Sequence, residues 1–431
     1  MSAVTGHIDD PRDLLGDPLP IRADLVEVVA TLVEQRAGEL TYMRRWLHAR
    51  PERSRSEHET TAALRERLIV EGLDPHVLRS GTGLVCDVGE EGPLVALRAD
   101  IDGLAMHDAK AVPYRSMNDG TCHACGHDVH TSVVLGAGLV LRDLIAAGRV
   151  AGRVRLVFEP AEEAMPGGAL DVIADGWLED VSGIFGVHCD PKLDAGRMGF
   201  RVGAITSASD AVHLQLQGPG GHTARPELTV NLTDEAARVV RELPGAVQSA
   251  IGERGEARLV FGMLACGSAP NVIPSEARMS GSLRTPSSEV WEALGTVLPH
   301  AIARVLDTDL RPEPDGHRGS RHDGLHWHLV HRQGVPPVLN DPRATQVMAR
   351  AAAALEGVDA LSGTPHSWGG DTFGWYLHQV PGCYARLGTH WPGRPQQLDL
   401  HRPTFDVDER AIPLAARVLA LTAAAWLADL G

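Results

Sequence analysis

Apolar residues recur at three- and four-residue spacing across residues 21–50 and 59–71, which predicts two helices with one buried face each. Residues 77–88 and 93–98 read as strands, the second carrying the short apolar run Leu94-Val95-Ala96-Leu97. That run ends at Arg98-Ala99-Asp100-Ile101-Asp102-Gly103. Residues 129–145 are mostly apolar and small, a helix with Gly148 as its stop. A strand over 153–158 runs into Glu159-Pro160-Ala161-Glu162-Glu163, and after a helix near 169–175 a strand over 183–187 ends at His188. Three short buried strands thus end in acids or imidazole. In open α/β sheets ligands bind at the carboxyl ends of strands. Alternating strands and helices predict a mixed, mainly parallel α/β sheet.

The pattern changes near residue 208. Residues 211–217 alternate apolar and polar, and Gly218-Pro219-Gly220-Gly221-His222 is a tight loop. A helix over 231–252, bent near Pro244, strands over 257–265 and 276–284, a helix over 287–306 and a strand over 325–332 follow. This β-α-β-β-α-β order is that of a ferredoxin-like α+β unit, expected as an insertion at 206–332. Residues 311–323 read as a loop. The α/β pattern resumes with a helix over 342–356, a strand over 382–387, a loop at Asp399-Leu400-His401-Arg402-Pro403 and a terminal helix over 411–430. One domain is therefore expected from 1–205 plus 333–431, with 1–20, rich in Asp, Pro and Gly, as a loose leader.

Composition narrows the setting. The 431 residues carry Lys+Arg 40 against Asp+Glu 56, a formal net charge of -16, which argues against a nucleic-acid partner and for a soluble cytoplasmic protein. The sequence reads as having no apolar run of membrane-spanning length and no basic-then-apolar signal pattern, so no membrane partner is expected. Six cysteines in so long a chain read as reduced thiols rather than a disulfide framework. Cys122-x-x-Cys125 fits a redox pair or half a zinc ribbon, but a ribbon needs a second such pair and none exists. A redox pair would give metal-independent activity requiring Cys122.

The densest chemistry is Thr121-Cys122-His123-Ala124-Cys125-Gly126-His127-Asp128-Val129-His130. Thiolate and neutral imidazole are preferred donors for zinc and its neighbours. Here they stand at a loop-to-helix junction, where side chains can converge. Glu162 beside Glu163 suits amide hydrolysis, since successive residues at a strand end point differently: one can bind a metal while the other takes a proton. Alone, such a pair also reads as two solvated carboxylates.

These motifs together resemble the M20 metallopeptidase family, most closely its amidohydrolase branch of hippurate hydrolases, N-acyl-amino-acid deacylases and indoleacetyl-amino-acid hydrolases. The resemblance runs from about Arg44 to Leu419. It rests on Arg44-Arg45-Trp46-Leu47-His48 with Pro51-Glu52, Arg98 to Asp102, His123 to His130 and Pro160-Ala161-Glu162-Glu163. Gly186-Val187-His188, Gly220-Gly221-His222, Asn271-Val272-Ile273-Pro274 and Leu400-His401-Arg402-Pro403 complete it.

The resemblance implies a catalytic domain with an inserted ferredoxin-like dimerisation or lid domain, a homodimer formed through that insertion, and a small-molecule amide substrate. It implies two divalent metal ions (zinc first, with manganese, cobalt or nickel as alternatives) on Cys125, His127, Glu163, His188 and His401, the thiolate bridging. Glu162 would be the general base, Asp100 would orient a metal-bound imidazole, and His222 would stabilise the oxyanion in the partner subunit. Asn271 and Arg284 would hold the substrate carboxylate. Asp102 reads as a loop carboxylate, while His123 and His130 serve either the site or packing. Thr121-Cys122, Arg53, Arg55 and Gly370-Asp371-Thr372-Phe373 depart from the family pattern; none removes a ligand. The expected activity is hydrolysis of an N-acyl amino acid or related small amide. A dipeptidase or carboxypeptidase of the same superfamily is the alternative, and a non-catalytic metal-binding protein a more distant one.

Overall fold

A computed structural model describes residues 11–15, 21–395 and 398–430. Two compact units emerge: 1–205 with 339–366 and 372–431, and 206–338 with 367–371. The second exceeds the expected insertion because its strand His326–Val335 runs past residue 332.

The first unit is a mixed α/β fold around an eight-stranded sheet. The strands lie in the order His76–Val77, Leu84–Val88, Arg153–Glu159, Leu94–Asp100, Val181–Asp194, Gly382–His390, Met198–Phe200, Leu361–Gly363. The four central ones are parallel, and their buried side chains explain the near-continuous apolar runs. Asp100 is in register with Glu159, and Arg98 with Gly186, so the polar strand ends stand side by side. The expected strand over 77–88 is instead a two-residue pairing and a separate strand, divided by a turn at Ser80-Gly81-Thr82-Gly83.

Helices Ala23–Ala49, His127–Ala146, Pro342–Glu356 and Ala411–Ala428 supply the core with the sheet. Gly136 permits their close approach: a Cβ there would lie 2.6 Å from the Leu40 side chain. Contrary to the sequence reading, His127–Ala146 and Ala411–Ala428 are long and apolar enough to cross a membrane. Their apolar windows are 78% buried within the fold, which is the burial of core helices. Of the expected leader, Pro11–Leu15 forms a 3₁₀ turn with Leu14 buried, and the rest up to Pro20 lies outside the described residues.

In the second unit the strands Ala208–Gln217, Arg258–Cys266, Glu276–Thr285 and His326–Val335 form an antiparallel sheet in the order second, third, first, fourth. With helices Leu232–Ile251 and Ser288–Leu306, this is the ferredoxin-like arrangement. Helix Leu232–Ile251 starts on an Asn231 cap and continues through Pro244. The stretch expected as a loop, 311–323, instead contains strands Arg311–Glu313 and Gly316–Ser320, a hairpin that extends the sheet beyond His326–Val335. Its side chains are largely polar and exposed, so hydrophobic alternation gave no signal.

Candidate metal centre

Three segments of the first unit converge. The first turns at Gly126, which caps helix His127–Ala146 at φ 91°. A Cβ there would meet Cys189 Sγ at 2.6 Å, so a glycine is required. The turn leaves Cys125 and His127 on either side, both buried. The second is Pro160-Ala161-Glu162-Glu163, with Ala161 at φ 54°. Buried Glu57 holds this turn, its Oε1 accepting from the Ala161 N–H at 2.7 Å and the Arg55 N–H at 3.0 Å. The third is the loop of His401, whose N–H donates to the Ala124 carbonyl at 2.8 Å.

The donor atoms then face one another. Cys125 Sγ lies 3.5 Å from His188 Nε2, and His401 Nε2 lies 3.2 Å from Glu163 Oε1. His127 Nε2 is 3.9 Å from Glu163 Oε1 and 4.0 Å from Glu162 Oε2. Cys125, Glu163 and His401 form one convergent triplet and His127, Glu162 and Glu163 another, sharing Glu163. Four of the five expected ligands therefore fall in these triplets, and His188 adjoins them through Cys125. His127 Nε2 is buried with no hydrogen-bond partner, and Glu163 Oε1 has only the His401 ring nitrogen beside it. Such an orphaned lone pair is costly unless a cation satisfies it. The sulfur, nitrogen and oxygen set suits zinc or a neighbouring ion.

The supporting contacts correct one expectation. The imidazole of His127, the expected ligand, is held by Asp102, not Asp100: Nδ1 lies 2.8 Å from the Asp102 carbonyl and 3.1 Å from its Oδ1. That fixes the proton on Nδ1 and turns the Nε2 lone pair into the cluster. Asp102 Oδ2 also accepts from Ser54 Oγ at 2.6 Å and from the Glu163 N–H at 3.1 Å. Asp100 instead holds His130 Nδ1 at 2.6 Å and accepts from Arg98 Nη1 at 2.8 Å. His130 Nε2 accepts the Cys189 N–H at 2.8 Å, so His130 braces the strand of His188 with both nitrogens used. His123 is buried, and neither of its ring nitrogens has a partner.

Electrostatics follow the geometry. Burial pushes the His127 pKa down, but Asp100, Cys125 and Asp102 outweigh it and hold it well above the ordinary value. Hydrogen bonding to Glu163 raises His401. Burial, then Arg386, keeps His188 neutral as a donor. Burial also raises the Cys125 thiol. Ion binding must displace these protons, so affinity falls as pH falls.

The profile described as Peptidase family M20/M25/M40 matches residues 96–425. The chain belongs to this family.

An M20 protein of solved structure, Bacillus subtilis YXEP, described as a dinuclear metal binding peptidase, superposes with a TM-score of 0.74 at 28% identity, over 92% of this chain and 99% of that one. The N-acetyl-L-cysteine deacetylase of Bacillus subtilis (strain 168) is 33% identical over 91% of this chain and 88% of its own length. A Rhodococcus jostii (strain RHA1) protein whose name refers to a glutamate–cysteine ligase is 40% identical over 92% of this chain. This chain spans only 48% of that relative's length.

In this M20 chain the remaining expected site residues lie in the second unit. His222 and Asn271 are neighbours there: the His222 backbone pairs with Val272, and the Asn271 carbonyl accepts the Thr223 N–H at 3.3 Å. Both are exposed. Arg284 stands apart on strand Glu276–Thr285 and donates to the Trp368 carbonyl at 2.5 Å. Sequence reasoning missed Asp102, Glu57 and Ser54 as supports. Asp102 carried a usable signal, as an acid two residues beyond the strand-end Asp100.

Asp102→Asn should weaken metal affinity by about 10- to 100-fold, because the His127 tautomer loses its carboxylate partner. Competition against a chelator measures this. An unchanged affinity would mean that Asp102 does not prepare His127.

Proposed function

We propose that this chain is a metal-dependent amidohydrolase that cleaves an N-acyl amino acid to acid and amine. The supporting observation is the Glu162-Glu163 pair: Glu163 is shared by both donor triplets, and Glu162 belongs to the one with His127. Cys125, His127, Glu163, His188 and His401 would hold two divalent ions, with zinc favoured by the thiolate and manganese, cobalt or nickel as alternatives. Such ions supply an acidified water and a polarised carbonyl. Glu162 would take a proton from the attacking water and later give it to the leaving amine.

Glu162 is aimed by its surroundings. Its Oε1 accepts the Thr372 N–H at 3.3 Å. Thr372 Oγ1 donates to Glu159 Oε1 at 2.6 Å and accepts from Arg98 Nη2 at 2.9 Å. Both partners are fully buried, so the peptide behind Glu162 is rigidly set. His222 would stabilise the oxyanion, and Asn271 and Arg284 the substrate carboxylate.

The insertion would pair with a second copy to make a homodimer. Strand Arg258–Cys266 has a free sheet edge and exposes Val260, Met263 and Leu264, a surface suited to strand pairing. Unpaired thiols at all six cysteines suit the reducing cytoplasm.

Relatives named N-acetylcysteine deacetylase make N-acetylcysteine the first substrate to try. A peptidase reading is the alternative, since YXEP is described as a peptidase. The test is turnover of N-acyl amino acids against dipeptides with each metal added. The N-acyl substrates should be cleaved faster; preference for dipeptides would favour the peptidase.

A further inference from the structure

A second group of soft donors lies in the first unit, outside the ligand set above. It consists of His48 on helix Ala23–Ala49, Asp108 in the loop after strand Leu94–Asp100, and Cys122. All three are buried, and their donor atoms lie within 4.8 Å of one another. His48 is prepared as a ligand would be. Its Nδ1 is held by Asp128 Oδ2 at 2.7 Å, which turns Nε2 toward Asp108 and Cys122. That Nε2 is buried without a hydrogen-bond partner and lies 3.5 Å from Asp108 Oδ2. Thiol, imidazole and carboxylate together are donors for a thiophilic divalent cation.

A cation already stands there. Lys110 Nζ lies 3.0 Å from Asp108 Oδ1 and 3.6 Å from Cys122 Sγ. Lys110 is itself only 6% exposed. We propose that His48, Asp108 and Cys122 form a latent third cation site, kept closed to metal ions because Lys110 fills it with its ammonium group. The ammonium balances the Asp108 charge and repels an incoming ion. Burial pushes the Cys122 thiol up to about 11, so it stays protonated. A protonated thiol is no ligand. Cys122 therefore does not compete with Cys125, three residues away, for ions bound for the family site. Removing the ammonium leaves the buried Asp108 carboxylate with its Lys110 and Ser116 backbone N–H donors and the His48 ring but no lysine cation, a state that favours uptake of another cation.

The inference stands apart from the hydrolase reading, because its test reads binding rather than turnover. Metal-free protein is titrated with cobalt while the thiolate-to-cobalt absorption is followed. Lys110→Met should bind one more equivalent than wild type and gain thiolate absorption. Both gains should vanish in Lys110→Met with Cys122→Ser, and Lys110→Arg should match wild type. If Lys110→Met does not fold, Lys110→Gln is titrated for the same gain. Wild-type stoichiometry in the neutral variant would overturn the proposal. So would loss of cobalt absorption from otherwise wild-type protein on Cys122→Ser, since that would mean a metal enters with Lys110 in place.

Discussion

Glu162→Gln should lower turnover by about 10²- to 10⁴-fold while metal content stays at the wild-type level. Glutamine keeps the shape of the side chain and can still accept the Thr372 N–H on its carbonyl oxygen. It cannot take a proton from water near neutral pH. Glu162 shares one triplet with His127 and Glu163, but Glu163 also serves the convergence with Cys125 and His401, which does not involve residue 162. Steady-state kinetics beside elemental analysis separates the two effects. Full activity in the variant would remove Glu162 from the mechanism. Loss of metal would make it a ligand rather than a base.

Cys125→Ala should have the opposite signature, losing metal first and turnover with it. The sulfur lies close to His188 and converges with Glu163 and His401. Without it the remaining donors are imidazoles and carboxylates, and the ion that depends on the thiolate loses an anionic ligand. The fold should survive, because removing one buried sulfur costs on the order of 1 kcal/mol and helix His127–Ala146 is anchored elsewhere in the core. Metal content should fall below wild type and turnover should approach background, with a melting transition still present. A variant that keeps its full metal content would show that the thiolate is not required.

The site was largely legible in the sequence because metal chemistry is written in residue type and strand ends. Cys125, His127, Glu163 and His188 follow short apolar runs or open a helix, and both features survive in one dimension. His401 was legible only through its motif, since its loop is pinned to Ala124 by a backbone hydrogen bond. Asp102 was not legible as the His127 partner. A loop carboxylate and an orienting carboxylate look alike until the helix register is known, and here the register gives His127 to Asp102 and His130 to Asp100. Glu57 stands 104 residues before the Ala161 N–H it accepts, a contact that no local pattern encodes. The hairpin at 311–320 escaped because its pairing is backbone-driven and its side chains stay polar. The ferredoxin-like order was readable because Ala208–Gln217 alternates buried and less buried positions along its length.

The central claim is that the sulfur of Cys125 ligates the bound ions. X-ray absorption at the metal edge of ion-loaded wild type and Cys125→Ala tests it most directly. A sulfur shell at about 2.3 Å in wild type, absent from the variant, is the predicted result. A wild-type spectrum fitted by nitrogen and oxygen alone would contradict it.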